Sequence, residues 1–469
     1  MVARVAADLV ERGVKPGDAV HLALKNGPPF VAIWLATIGL GAWIVPADPM
    51  ARTPELADHL ARTSPTVGFC DRDRQDEYLP AAAEGEVKGE IEVVVIDETS
   101  VDHAWVSAQA APAGGTFAAP KPVDRAAVMF TSGTTGRPKG VEVSQANYAF
   151  AGQTMAAAAE LTAEDRHIVV LPLFHANAQY YSFASAISVG AAVALMHGFS
   201  ASGFLAQCAR HRATAASLFA APIRMILARG QSTPGVNLRH CWFAQNIAED
   251  QYETISDWFG CRPRQLYGMT ETIPAVLADG AADTRPDTMG FVTDGCRVDL
   301  QDSSGRSVGP GEVGEIVVGG TPGQTLFSGY LDAPDITAAG FRDGWFLTGD
   351  RATRSADGRY RFDGRRSDVL KVSGENVSTV EVEAVLSAHP EVLEASVVGA
   401  PDDIRDEVPI AFVVAADTLA PPSAAELRQW CGERLAPVKV PTDITFLDEL
   451  PRTSVGKIRK FELKEAVDA

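Results

Sequence analysis

Ala126-Ala-Val-Met-Phe130 runs directly into Thr131-Ser-Gly-Thr-Thr-Gly-Arg-Pro-Lys-Gly140, and the reading of the whole chain turns on this stretch. Its first five residues are an unbroken apolar run of strand length, which predicts a buried β-strand. The next ten carry hydroxyls on Thr131, Ser132, Thr134 and Thr135, backbone amides freed by Gly133 and Gly136, and a cation on Lys139. A strand that opens into such a loop offers donors and positive charge to polyphosphate oxygens. The Walker A pattern, Gly, four residues, then Gly-Lys-Ser/Thr, does not fit, because Lys139 follows Pro138 and precedes Gly140. A flexible Ser/Gly linker is the plain alternative, but it would hardly set Pro-Lys-Gly between two strand-like runs.

Outward from this loop, short β-branched apolar runs at Val20 to Leu24, Val67 to Cys70, Glu92 to Ile96, Ile168 to Leu171 and Ala192 to Met196 alternate with helical segments. That alternation predicts a doubly wound α/β fold with mostly parallel sheets. A second round follows, with a helix around Ser202 to His211, strands at Ala215 to Phe219 and Asn237 to Phe243, and a helix from Ala248 to Phe259. After Gly290 the strands are punctuated by glycine, as in Arg297 to Gln301 and Gly314 to Gly319, which predicts an antiparallel, barrel-like part. Beyond Asp363, helices at Thr379 to Ala388 and Ala424 to Leu435 alternate with strands at Ala395 to Gly399 and Ile410 to Ala415, the pattern of a small α+β C-terminal domain. Ala108 to Pro122 reads as a surface connection, and no internal sequence repeat is present.

The bulk properties narrow the partners. A chain of 469 residues exceeds one ordinary core, so a large and a smaller domain are expected. The formal charge of -19 repels polyphosphate backbones at long range, which argues against nucleic acid and leaves any nucleotide to local loops. Cys70, Cys208, Cys241, Cys261, Cys296 and Cys431 form no C-x-x-C pair, which fits a reducing cytoplasm and no zinc knuckle. The apolar stretch Val31 to Val45 contains Gly39 and Gly41, stops at Pro46 and is too short for a bilayer span. The N-terminus shows an amphipathic helix pattern, Val5, Ala6, Leu9 and Val10, without a signal sequence.

Four further strings follow in order: Tyr267-Gly-Met-Thr-Glu-Thr272, Trp345-Phe-Leu-Thr-Gly-Asp350, Asp363-Gly-Arg365 and Pro451-Arg-Thr-Ser-Val-Gly-Lys457. With the loop at 131–140, they resemble the superfamily of acyl-CoA synthetases, nonribosomal peptide adenylation domains and luciferases, across nearly the whole chain. The resemblance implies a large adenylation domain over 1–364 and a small mobile domain over 365–469. It implies that Thr270 touches the α-phosphate, that Glu271 helps hold Mg2+, and that Tyr267, Gly268 and Met269 flank the nucleotide. It further implies that Asp350 and Arg365 take the ribose hydroxyls and that Lys457 reaches the carboxylate and α-phosphate during adenylation. Gln245 and Asn246, in Phe243-Ala-Gln-Asn246, fall beside adenine in the family's pattern. The implied chemistry is attachment of AMP from ATP to a carboxylic acid, followed by transfer of the acyl group to a thiol, with coenzyme A as the expected acceptor. Singly, Glu271 as a solvated carboxylate, Asp350 as a helix cap and Lys457 as a basic tail would each be ordinary; together and in order they are not.

His175 lies in Leu171-Pro-Leu-Phe-His-Ala-Asn-Ala-Gln179, which resembles the family segment that gates the acyl site, against the plain reading of a core histidine. Asn177, Ala178, Gln179, Ala244 and Ile273 are the expected acid pocket. Phe174 to Gln179, Pro322 to Phe327, Gly374 to Ser378 and Ile404 to Glu407 look most like the carnitine/crotonobetaine-CoA ligase branch. Three departures bear on the substrate and the motion. Phe243-Ala-Gln-Asn246 is bulkier and more polar than the family's small residues and Pro, Ala178-Gln179 stands where a Gly commonly lets an acyl chain pass, and Ser367 replaces the usual Asp or Lys at the hinge. A short pocket for small or polar acids is therefore expected, with rotation about Arg366 to Asp368 alternating Lys457 with the Lys371 to Ser378 loop. The alternatives are a carrier-protein thiol as acceptor, nitrite activation in a diazo-forming reaction of secondary metabolism, and a non-enzymatic scaffold. Discrimination comes from acceptor assays, a nitrite arm in a substrate screen, and the retained Lys139, Glu271, Asp350, Arg365 and Lys457, which argue against a scaffold. A homodimer is the assembly to test, and the chain starts some tens of residues later than family members generally do.

Overall fold

The computed structural model describes residues 1–84, 90–97, 119–131, 138–365, 369–372, 375–402, 405–417, 421–452 and 458–468. The surface connection expected at 108–122 falls mostly outside these residues, as do Ser132 to Gly136, the Arg366 to Asp368 hinge and Lys457. Packing divides the chain into two compact units. The first comprises Met1–Pro286, Gly290–Arg297 and Val318–Phe346; the second comprises Asp287–Met289, Val298–Val317 and Leu347–Ala469.

The first unit holds two seven-stranded sheets. One is built from β1 (Ala19–Ala23), β2 (Trp43–Pro46), β3 (Val67–Asp71), β4 (Glu92–Ile96), β5 (Arg125–Thr131) and β6 (Lys139–Ser144). The other uses β7 (Arg166–Val169), β8 (Ala192–Leu195), β9 (Ala215–Ser217), β10 (His240–Phe243), β11 (Arg264–Tyr267), β12 (Leu277–Ala278) and β13 (Phe291–Val292). After β14 (Arg297–Gln301) and β15 (Val313–Gly319), the short β16 (Gly329–Tyr330) returns to the first sheet, whose order is β16-β6-β5-β2-β1-β3-β4. The second sheet runs β13-β12-β11-β10-β9-β7-β8. In both, four parallel pairings end in two antiparallel ones: β5 lies parallel to β2 and antiparallel to β6, and β11 lies parallel to β10 and antiparallel to β12. β1, β2, β3 and β10 are buried along their whole length, as expected of parallel strands covered on both faces.

The helices follow local signals. Val5, Ala6 and Leu9 bury the inner face of helix Val2–Glu11, whereas Val10, expected on that face, is 54% exposed. The reason is the 3.6-residue period, which turns Val10 away from a stripe set by Val5 and Leu9. Ser144 starts helix Gln145–Ala158 with a reciprocal capping box to Asn147. The Asn147 amide then donates at 2.9 Å to the carbonyls of Gln324 and Leu326, fastening the loop before β16.

In the second unit, β18 (Trp345–Arg354) pairs antiparallel with β19 (Tyr360–Arg365) beside β14 and β15, and β17 (Phe341–Arg342), of the first unit, forms a hairpin with the first residues of β18. The remaining strands, β20 (Val369–Val372), β21 (Glu375–Ser378), β22 (Val392–Asp402), β23 (Asp406–Ala415) and β24 (Asp443–Phe446), make a five-stranded sheet. Helices Thr379–Ser387 and Ala424–Gly432 pack over it, with Val382, Leu386, Leu427 and Cys431 closing a core against Val397, Ala411 and Val413. The chain is thus an α/β protein with a large N-terminal part of mainly parallel sheets and a smaller α+β C-terminal part, as the alternation of elements predicts.

Candidate active site

The stretch at 131–140 begins and ends on paired strands. Thr131 is the last residue of β5 and Lys139 the first of β6, and the two are cross-strand partners. Phe130, one residue earlier, carries the His59 ring stacked at 4.0 Å and 9°. The Arg62 guanidinium sits 4.7 Å from the centre of the same ring. Arg62 also donates to the Pro138 carbonyl at 2.7 Å. One side chain from helix Thr53–Thr63 therefore holds both legs of the loop. Its signal in the sequence is weak, since Arg62 lies far from every motif.

The second turn is built differently. Tyr267 ends β11, and Gly268 is required by packing: a Cβ there would meet the Tyr181 hydroxyl at 2.7 Å and the Pro274 carbonyl at 2.9 Å. Thr270–Thr272 form a single 3-10 turn. The Thr272 hydroxyl accepts from the Met269 amide at 3.0 Å and reaches the Pro274 carbonyl at 3.2 Å. Ile273 follows with φ 73 and ψ -78. A fully buried β-branched residue at positive φ is strained.

Glu271 is 4% exposed. Its Oε1 accepts from the Tyr330 hydroxyl at 3.0 Å, and the Lys139 ammonium lies 4.9 Å from the Tyr330 ring centre. The structure thus brings Lys139 and Glu271 to one residue that the sequence reading did not include. Burial, reinforced by Glu271, pushes the Tyr330 phenol far above its usual range, so it remains a donor. Among the described residues no group of three or more His, Cys, Asp and Glu is poised to hold a metal. A buried carboxylate fits Mg2+ that arrives with nucleotide phosphates, because this ion keeps most of its shell as phosphate and water.

After β10, Ala244 is half-buried while Gln245 and Asn246 are exposed, with Gln245 at φ 74. Buried Gln265 braces them, its amide donating to the Gln245 carbonyl at 3.4 Å, Asn246 Oδ1 at 3.1 Å and the Pro286 carbonyl at 3.0 Å. Gln265 stands two residues before Tyr267, which is the only signal that could have found it.

Half-buried His175 has its ring 4.4 Å from that of Phe174, and its carbonyl accepts from the Gln179 amide at 3.2 Å. After Ala176, the eight residues Asn177–Ala184 are π-helical, an arrangement concentrated at functional sites. Asn177 Oδ1 accepts from the Ser217 hydroxyl at 2.8 Å, and buried Asn177 Nδ2 has no hydrogen-bond partner among the described residues. Ala178 and Gln179 are fully buried. Gln179 is spent on the core: Oε1 accepts from the Tyr148 hydroxyl, and Nε2 donates to the Leu173 carbonyl at 2.6 Å. No described contact joins buried Gln179 to exposed Asn246.

In the second unit, Asp350 and Arg365 are cross-strand partners, Arg365 Nε donating to Asp350 Oδ1 at 2.9 Å. Asp350 is 3% exposed, and its amide donates to the Thr348 hydroxyl at 3.1 Å. The segment 453–457 that ends in Lys457 lies outside the described residues, but an antiparallel bridge between Arg452 and Ile458 brackets it, and Arg452 pairs with Glu394 of β22.

The family profile described as AMP-binding enzyme matches residues 1–331, and that of the AMP-binding enzyme C-terminal domain matches residues 381–457. The crotonobetaine/carnitine–CoA ligase of Salmonella arizonae is 33% identical over 466 residues, covering 96% of this chain and 89% of that protein. The structure resembles the anthranilate CoA ligase AuaEII in complex with anthranoyl-AMP, with a TM-score of 0.89 and 27% identity over 99% of this chain and 90% of that one. It also resembles Bacillus subtilis o-succinylbenzoate CoA synthetase with its acyl-adenylate, at a TM-score of 0.86 and 29% identity, covering 99% and 91% of the two chains.

Proposed function

The chain belongs to the AMP-binding enzymes and is an AMP-forming acid–thiol ligase, and on that premise we propose how its residues divide the work and which acid it takes. A carboxylate oxygen attacks the α-phosphorus of ATP and pyrophosphate leaves. The sulfur of coenzyme A then attacks the acyl carbon and AMP leaves. The first step needs alignment and charge neutralisation rather than a protein nucleophile.

The observation that carries the assignment is the convergence of Lys139 and Glu271 on Tyr330. In our reading, Thr131, Lys139 and the residues 132–136 cradle the phosphates, Thr270 contacts the α-phosphate and Glu271 holds Mg2+. Tyr267, Gly268, Met269, Gln245 and Asn246 line the nucleotide, with Asp350 and Arg365 on its ribose. When bound, Mg2+ supplies positive charge at the phosphates. Lys457 reaches the reacting oxygens, and His175 gates the acyl site. The functional boundary is read at 364/365, with the hinge at Ser367.

The acid is read as small and polar, with an acceptor for the Asn177 amide. Gln179 supports this by filling the core rather than leaving room for a chain, and Ala244 and Ile273 close the remaining walls. The cytoplasm is read from the six free cysteines, and the charge of -19 argues against nucleic acid. No helix among the described residues is long and apolar enough to cross a membrane.

The test is acid-dependent pyrophosphate release across short aliphatic, hydroxy, amino, aromatic and betaine acids, with nitrite as a separate arm and coenzyme A or a carrier protein as acceptor. A small polar acid should win, and Lys457→Ala should lower its adenylation by about 2.7 to 4 kcal/mol, or roughly 100- to 1000-fold. Preference for long or aromatic acids would overturn the pocket reading, and wild-type exchange in the Lys457 variant would overturn that residue's role.

A further inference from the structure

Tyr330 is fixed from several sides. It pairs through β16 with Val141 of β6, its amide donates to the Thr337 hydroxyl at 2.8 Å, and its ring meets Phe327 edge-on at 4.9 Å. The Phe327 amide in turn donates to the Glu271 carbonyl at 3.0 Å. The residue is 8% exposed, so its hydroxyl sits where water competes poorly for the Glu271 carboxylate. Packing alone needs a ring at this position; it does not need a hydroxyl aimed at a buried carboxylate or a ring face turned toward an ammonium.

We propose that Tyr330 is a positioning residue for both charged groups of the nucleotide site, its hydroxyl orienting Glu271 and its ring seating Lys139. The two contacts are chemically separable. The phenol donates to Oε1 of the carboxylate and so fixes the plane in which Glu271 is presented. The ring quadrupole holds the lysine ammonium without neutralising it, so the charge stays available to phosphate. Tyr330 thereby sets the distance between the protein's cation and its metal-holding carboxylate. The inference rests on the reading of Lys139 and Glu271 given above.

Tyr330→Phe keeps the ring and removes the donor. Titration of Mn2+ by electron paramagnetic resonance, with a non-hydrolysable ATP analogue bound, should then show affinity weakened by about 10- to 100-fold, as for other groups that orient a metal ligand. ATP affinity measured calorimetrically in EDTA should stay at the wild-type value in this variant and fall in Tyr330→Leu, which also loses the seat for Lys139. Glu271→Gln in the same titration separates the two layers of the argument. If it keeps wild-type Mn2+ affinity, the assignment of Glu271 fails; if it loses affinity while Tyr330→Phe does not, the role of Tyr330 fails alone. Additive losses in the double variant would also overturn the coupling. Should the phenylalanine variant unfold, 3-fluorotyrosine at position 330 preserves ring and hydroxyl. Its fluorine resonance should broaden when Mn2+ and nucleotide bind, and an unchanged resonance overturns the proposal.

Discussion

In the first sheet the chain leaves its last parallel strand, β5, through a hydroxyl-rich loop and returns antiparallel as β6; in the second it leaves β11 through one 3-10 turn and returns antiparallel as β12. Both connections depart from the carboxyl end of a parallel strand, the end at which open α/β sheets bind ligands. Their support differs. The first is held from outside, by Arg62 on Phe130 and the Pro138 carbonyl, whereas the second is tied to itself through Thr272 and the strained Ile273. The ends of the first connection thus depend on a helix 76 positions away, while the second turn is fixed by bonds within a few residues.

The largest test concerns the sheets that carry these turns, because each buries neutral histidines. Burial lowers the pKa of His59 against the first sheet and of His167 in the second from 6.5 to about 4. His21 and His240 are pushed down by burial as well. None of the four has both ring nitrogens partnered among the described residues. Since the folded pKa lies below the unfolded one, the unfolded chain takes up protons first as pH falls. Stability is full above pH 6.5 and is lost toward pH 4, by about 3 kcal/mol for each of His59 and His167. Urea midpoints at pH 7.5, 6, 5 and 4.5 should fall steadily, and His59→Phe and His167→Phe should each flatten part of the slope. A midpoint indifferent to pH would contradict buried neutral rings in both sheets.

Arg62→Ala removes the outside anchor of the first turn. Loss of a charged hydrogen bond of about 1.5 to 3 kcal/mol should raise KM for ATP by roughly tenfold or more, with a smaller change in kcat. An unchanged KM with a lowered melting point would make Arg62 merely structural. In the self-tied turn, Thr272→Val should cost about 1 kcal/mol in urea denaturation, since the Met269 amide loses an acceptor. If its effect on KM for ATP exceeds that of Arg62→Ala, the contrast between the two turns is wrong.

The strands, and the strand ends on either side of the stretch 132–137, were legible because apolar runs, glycine punctuation and short motifs are local in sequence. Asp350 and Arg365, 15 residues apart, were legible for a related reason: a hairpin makes such a separation a cross-strand pair. Gln179 and Asn246 were readable as polar residues beside expected pockets, but their partners were not. Tyr148, on helix Gln145–Ala158, claims the first, and Gln265, on β11, claims the second.

By itself, then, the sequence determined the family, the α/β alternation and the positions of the family's motifs, since each is written in composition or in a contiguous string. Only the tertiary structure decided how those residues are held. Arg62 reaches Pro138 across 76 positions and Tyr330 reaches Glu271 across 59. Such contacts exist because β16 returns to the edge of the first sheet and helix Thr53–Thr63 packs beside β5. Nothing in a side chain's sequence neighbours encodes that return; it follows from burying two sheets' worth of apolar surface at once, which selects the partners of Tyr330 and Arg62 only when the whole unit folds.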